Sequence, residues 1–322
     1  MHNWRHASPD ALHGPASNAR PEPRRSGLLR WVIVCAAAPI ASCQQTGVLD
    51  PQGPIASAER LLLINSTAIM LVVVVPVILA TLGFAWWYRS SNARASHSPD
   101  ESFEGRIEFV VWSIPALIVI LLGGVIWIGS HQLDPRAQIP AKADPLRVDV
   151  VALDWKWLFI YPDQSLAAIN TLTVPAGVPL QFQLTSASVM NVFFIPQFGS
   201  MIYTMNGMTT RLNLRADSPG TFGGLAAHFN GDGFSDMHFD VHVVPPEEFS
   251  KWAQDALRAD KALDEHSYEQ LAKPSMRNEP AIYRLAYPDL FQSIATQKIP
   301  PSPGAQAGVK GASSQTGVVD AR

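Results

Sequence analysis

Thiols and charge are the two scarce commodities of this sequence. Only two cysteines occur in 322 residues, Cys35 and Cys43, and nothing after Cys43 carries a thiol. That excludes an internal disulfide framework in the rest of the chain, and any thiolate-held metal or cluster there. Charged residues make up 16% of the chain against 47% hydrophobic, a lean balance for a soluble protein and one that points toward a membrane. The formal net charge is −3 and no long basic run occurs, so a nucleic-acid partner is not expected.

What is present begins with an export pattern. Residues 1–30 are polar and proline-rich and end with Arg24, Arg25 and Arg30. The apolar run 31–41 is too short to span a bilayer but suits the core of a signal peptide. It closes on Ile40-Ala41-Ser42-Cys43, small residues before a cysteine, the pattern of bacterial lipoprotein processing. The expectation is a signal peptide over 1–42 and a lipidated Cys43 opening a periplasmic segment 43–60. An ordinary signal peptide followed by an incidental cysteine is the competing reading. An acyl chain adds about 0.8 kcal/mol per buried methylene, a tether secondary to any spanning helix.

Two long apolar runs follow. Residues 61–88 are nearly uncharged and end in Trp86-Trp87-Tyr88, an interfacial aromatic belt, with Pro76 inside. Residues 108–130 form a second span with Pro115 near its start and Trp127 near its end. The loop 89–107 carries Arg89, Arg94 and Arg106, which favours the cytoplasmic side and sends everything from His131 outward to the periplasm. Glu108 heads the second span. A first-turn acid favoured by the helix dipole is the plain reading, and a functional ionisable group covered by a partner subunit is the sharper one.

From residue 145 the periodicity changes to two. Val148 and Val150 oppose Arg147 and Asp149, and Trp155-Lys156-Trp157-Leu158-Phe159-Ile160-Tyr161 stops at Pro162. Leu180-Gln181-Phe182-Gln183-Leu184 and Met237-His238-Phe239-Asp240-Val241-His242-Val243 alternate in the same way. Residues 145–245 therefore read as an antiparallel β-sandwich or barrel. Beyond Pro245-Pro246, Phe249, Trp252, Ala253, Ala256 and Leu257 fall on one helical face, and 265–273 suits a second helix. The extension 246–295 is read as helical and the Gly/Ser/Ala/Pro-rich tail 300–322 as disordered. The fold class is α+β: a transmembrane helix hairpin, an exported β domain and C-terminal helices.

Three residue sets invite a site. His228, His238 and His242 suggest a metal, but His238 and His242 stand four apart on one strand, roughly 13 Å at the usual rise, too far to chelate together. Asp154-Trp155-Lys156-Trp157 suggests an electron-entry patch, with a packed sandwich edge or a surface facing a partner subunit as the plainer alternative. Met201, Met205 and Met208 suggest copper(I) binding, with core or subunit packing favoured.

The order of these elements, with Asp154-Trp155-Lys156-Trp157, Phe193-Phe194-Ile195-Pro196 and a glycine-rich stretch closing on Met237, resembles subunit II of haem–copper oxidases over residues 43–291. The resemblance implies a cupredoxin-like exported domain. In the cytochrome c oxidases of that family the domain holds a dinuclear copper centre, with a His before the Phe-x-Ile-Pro segment and then Cys-x-x-x-Cys-x-x-x-His-x-x-Met. Here those positions are Asn191, Ala226, Asn230, Phe234 and Met237, and only Met237 keeps a ligand. Bridging thiolates and imidazoles are what a dinuclear copper site needs, so no metal is expected on this chain.

This departure, the stretches 154–161 and 189–196, Leu49-Asp50-Pro51 after Cys43, Trp252 and Pro288-Asp289-Leu290-Phe291 resemble the copper-free subunit II of cytochrome bo-type ubiquinol oxidases. The resemblance implies a non-catalytic subunit beside subunit I and other oxidase subunits in the bacterial inner membrane. Haems and copper would reside in subunit I, and this chain would meet quinol only indirectly and no cytochrome c. Tyr203 stands where cytochrome c oxidases often carry a docking acid. Glu108 would lie at the cytoplasmic mouth of a proton-uptake pathway. Two other functions stay open on the sequence: a lipoprotein that binds or delivers copper during oxidase assembly, and a degenerate cytochrome c oxidase subunit.

Overall fold

The computed structural model describes residues 47–96, 104–141 and 143–302. The expected signal peptide 1–42, the lipidated Cys43 and the tail from residue 303 lie outside the described residues, as does part of the loop 89–107.

Two helices are long and apolar enough to cross a membrane: α1 (Pro54–Trp87) and α2 (Gly105–Gln132). α1 begins seven residues before the span read from hydropathy at 61. Pro54, preset for a first helical position, starts it, and it runs through Glu59 and Arg60 because that turn docks on the β domain. The seam between the helices follows three- and four-residue spacing. Leu62, Ser66, Ile69 and Val73 on α1 and Ile118, Leu122 and Val125 on α2 are half-buried, and Gly129 is buried. The seam ends just short of Pro76 and Pro115. Beyond them every residue of α1, and every residue of α2 except Ser113, is exposed, so those halves do not cover one another.

Ten strands build the β domain: β1 (Leu146–Leu153), β2 (Lys156–Tyr161), β3 (Leu166–Ile169), β4 (Thr171–Pro175), β5 (Pro179–Ser186), β6 (Asn191–Ile195), β7 (Gly199–Thr204), β8 (Thr210–Arg215), β9 (Gly220–Ala226) and β10 (His238–Val244). The extension adds α3 (Pro246–Ala256), β11 (Ala262–Leu263), α4 (Glu265–Leu271), β12 (Ala281–Leu285) and α5 (Leu290–Ala295). The first sheet runs β11-β12-β3-β2-β1-β5-β8 and the second β4-β10-β9-β6-β7.

The expected sandwich is present, but it is mixed rather than purely antiparallel. β1 pairs parallel with β5, β10 with β4, and β11 with β12. The chain leaves the first sheet through β4 and re-enters it as β5 on the far side of β1, which makes those two strands run together. Alternation reports which face a side chain takes and is silent on strand direction.

The extension is likewise not only helical. β12 pairs with β3 and covers what would be an open edge of the first sheet. The main core lies between the sheets, where Trp157, Phe159, Phe193 and Phe239 meet at ring distances of 5.0–6.3 Å. A second core forms outside the first sheet, where Val151, Leu153, Leu158 and Ile160 meet Tyr268, Leu290, Phe291 and Ile294. Covered on both faces, β2 is buried at every position, which explains an apolar run where a half-exposed strand would alternate.

The head of α1 is bolted to this domain. Glu59 accepts from the Ser200 N–H at 2.9 and 3.1 Å and from its hydroxyl at 2.6 Å. Gly199 adopts φ +100°, and a Cβ there would lie 2.8 Å from the Ala56 nitrogen. The Gln52 N–H donates to the Gln197 carbonyl at 2.8 Å, and the Asp217 N–H to the Gln52 carbonyl at 2.8 Å.

Candidate functional site

β6 and β9 are neighbours with Phe193 opposite Ala226, and this register brings the degenerate ligand positions together. Asn191 opens β6, Ala226 closes β9, and the Ala226 N–H donates to the Met237 carbonyl at 3.0 Å to close the intervening loop. Asn230 reaches inward from that loop. Its amide Nδ2 donates to Asn191 Oδ1 and to the Met237 sulfur, the latter at 2.9 Å. Asn191 Nδ2 donates to the Val189 carbonyl at 3.1 Å. Asn191, Asn230 and Met237 are 0%, 8% and 1% exposed. Phe234 stays at the rim in a 3-10 turn, packed edge-on against Phe229 at 5.7 Å. Four of the five positions therefore converge.

The donor set is two neutral amides and one thioether. Thiolates that could bridge two copper ions are absent from the chain after Cys43, and no imidazole takes part in this cluster. These residues do not fit a dinuclear copper centre. Asn230 Oδ1 is buried without a hydrogen-bond partner, and one neutral amide oxygen cannot replace the bridging thiolates that such a centre requires.

Beside the cluster sits the turn between β1 and β2. Ser188 donates its hydroxyl to Asp154 Oδ1, while Asp154 Oδ2 is buried and unpartnered. Trp155 takes φ +63°, and its indole N–H donates to the Asn230 carbonyl at 3.4 Å. Lys156 is 1% exposed, and its ammonium donates to the Lys273 carbonyl at 2.8 Å and to the Ser275 hydroxyl at 2.5 Å. Burial strips water from the ammonium and lowers its pKa to about 8, against the opposing pull of Asp154. Trp157 belongs to the inter-sheet core, so the Asp154–Trp157 stretch acts as packed structure, the plainer of its two readings.

The remaining candidates scatter. Glu108 lies in the first turn of α2 and is exposed, flanked by exposed Ile107, Phe109 and Trp112. His238 points outward from β10, His242 accepts or donates at 3.3 Å with the Thr221 hydroxyl, and His228 stands edge-on to Tyr203. Among the described residues no group of three or more His, Cys, Asp or Glu side chains could hold a metal. Met201 and Met208 are about half exposed, at 54% and 52%, while Met205 between them is half-buried, so none of the three belongs to the core. Sequence patterning missed Glu59, Asn170, Lys273 and Ser275. A lysine inside an otherwise apolar strand was the one available signal, since such a charge needs buried partners.

The segment 258–301 matches the family model described as COX Aromatic Rich Motif. Over 272 residues the chain is 44% identical to cytochrome bo(3) ubiquinol oxidase subunit 2 of Pseudomonas putida, covering 84% of this chain and 85% of that protein. It is 44% identical over 260 residues to ubiquinol oxidase subunit 2 of Acetobacter aceti, covering 80% and 84%. The chain belongs to the quinol oxidase subunit 2 family.

As a member of the quinol oxidase subunit 2 family, the protein is one subunit of an oxidase complex, and its two apolar helices accord with the inner membrane. Among solved structures, the periplasmic domain of subunit II of cytochrome oxidase (CoxB) of Bradyrhizobium japonicum is 25% identical and covers 36% of this chain and 96% of that one, with a TM-score of 0.34.

Proposed function

We propose that this protein is a non-catalytic subunit II of a terminal quinol oxidase and carries no redox centre of its own. Quinol oxidation, oxygen reduction to water and proton translocation belong to subunit I with its haems and copper. Electrons from a membrane-borne quinol reach subunit I within the bilayer, so no periplasmic copper relay is needed. The observation that carries this reading is the buried Asn191–Asn230–Met237 cluster, which fills the family's ligand positions with groups that cannot bridge copper. Metal analysis of the purified complex tests it. Copper is expected at the stoichiometry of subunit I alone, and a further two copper ions per complex with a near-infrared dinuclear band would refute it.

In this reading Cys43 carries the lipid anchor and the sandwich stands in the periplasm beside subunit I. Glu108, at the cytoplasmic head of α2 where the two helices leave each other uncovered, admits protons toward subunit I. Glu108→Ala is expected to slow turnover several-fold while haem content and subunit stoichiometry stay intact. Unchanged oxygen consumption with quinol removes that role.

A further inference from the structure

Three consecutive residues of the β1–β2 turn each hold a different loop. Asp154 takes the Ser188 hydroxyl from the loop ahead of β6. Trp155 donates to the Asn230 carbonyl, and its ring occupies the space above Gly233, where a Cβ would lie 2.3 Å from the indole. Lys156 takes the Lys273 carbonyl and the Ser275 hydroxyl. The first loop leads into Asn191 and the second carries Asn230; the third is the connection between α4 and β12.

That third loop is drawn across the turn as a strap over residues 273–278. Asn170 Nδ2 donates to the Asn278 carbonyl at 3.0 Å, while Asn170 Oδ1 accepts the Trp157 N–H at 2.8 Å. Ser275 and Asn278 bond one another twice, each at 2.9 Å. Arg277 reaches Asp236, next to Met237, at 3.5 Å. The strap is thus tied both to the turn and to the loop 227–237.

Trp155 is the strained member. At φ +63° a bulky side chain occupies the left-handed region, which persists only where its surroundings over-determine it. Its determinants are Asn230 and Gly233 on one side and, through the peptide it shares with Lys156, the strap on the other.

We propose that the strap 273–278 is a conformational latch for the loop 227–237, acting through the Lys156–Trp155 turn. With the strap seated, Lys156 is held, Trp155 stays in its left-handed seat, and the loop carrying Asn230 is pinned without a metal. With the strap released, Lys156 loses its acceptors in a dry site, the turn relaxes, and the Trp155 anchor leaves Asn230 and Gly233. The C-terminal aromatic-rich segment thereby sets the order of a loop far from it in sequence. The proposal does not depend on which electron donor the oxidase uses.

Hydrogen exchange on the purified oxidase complex tests it, read on three peptides: 273–278, 227–237 and, as reference, 180–184 in β5. Lys156→Met keeps the chain length and removes the donor. It is expected to speed exchange roughly tenfold in both the strap and the loop, the effect of losing about one buried hydrogen bond, with β5 unchanged. Ser275→Ala, which trims only the strap, is expected to move the same two peptides in the same direction by less, and carries the test if Lys156→Met does not accumulate. Faster exchange confined to 273–278 overturns the latch, and so does an equal rise in all three peptides, which would mean general loosening.

Discussion

The Tyr161 hydroxyl closes the edge of the second sheet: it accepts the Thr173 N–H at 2.9 Å and donates to the Thr173 carbonyl at 3.1 Å. Thr173 lies on β4, the outermost strand of that sheet, so a side chain does the work a neighbouring strand would do. Trp252 packs edge-on against Tyr161 at 5.4 Å and helps keep water out. The same burial holds the phenol well above its usual pKa.

Tyr161→Phe removes one oxygen and leaves a buried N–H and C=O unpaired. The expected cost is about 1–3 kcal/mol, a fall of several degrees in the melting temperature of the β domain within the complex. An unchanged transition would mean that water reaches β4 and that Tyr161 does not seal the edge.

Lys156 gives a pH dependence with a definite sign. In the unfolded chain its ammonium titrates at the ordinary lysine value of 10.5, and in the fold burial brings it down to about 8. Between those values the unfolded chain holds a proton that the folded one has released, so stability rises with pH across that window. Below about 8 both states are protonated and the fold bears the full burden of a buried ammonium. Denaturation midpoints of wild type and Lys156→Met, compared at intervals from pH 7 to 10.5, read the difference directly. The wild type is expected to gain on the variant as pH rises, and a gap independent of pH would contradict a depressed lysine.

Much of this architecture was legible in the sequence because two periodicities are strong. Uncharged length revealed both spans, and alternation in β1, β5 and β10 revealed the sandwich. The degenerate site was legible from motif spacing, and register then brought Asn191, Ala226, Asn230 and Met237 together while leaving Phe234 at the rim. Parallel pairing was not legible, since it depends on which sheet the chain visits between two strands. β11 and β12 were missed because they are short and take their order from the edge of β3. The roles of Lys156 and Glu59 were hidden because their partners are 117 and 141 residues away.

The helix hairpin rests on one close approach. A Cβ at Gly129 would lie 2.8 Å from Leu62 Cδ1. An alanine needs only a small movement of the Leu62 side chain, whereas Gly129→Leu forces the helix halves next to the β domain apart. The variant is expected to lower the yield of intact oxidase in detergent, and adding Leu62→Ala should restore much of it by returning the lost volume. A double variant no better than the single would place the defect outside this contact.

The buried amides can be asked what they contribute. Asn230 bonds Asn191 and Met237 yet leaves its own Oδ1 unpartnered, so its net value is the balance of two donated bonds against one stranded acceptor. Asn230→Ala removes that stranded oxygen but leaves Asn191 Oδ1 without its donor in a buried site, and is expected to cost about 1–3 kcal/mol. Replacing both partners with apolar groups of similar shape, Asn191→Leu with Asn230→Leu, removes every stranded atom at once and is expected to cost less than Asn230→Ala alone. Equilibrium unfolding of the single and double variants settles the sign. A double variant weaker than the single would mean that the amides specify the loop's geometry beyond their mutual bond, a role that apolar packing cannot replace.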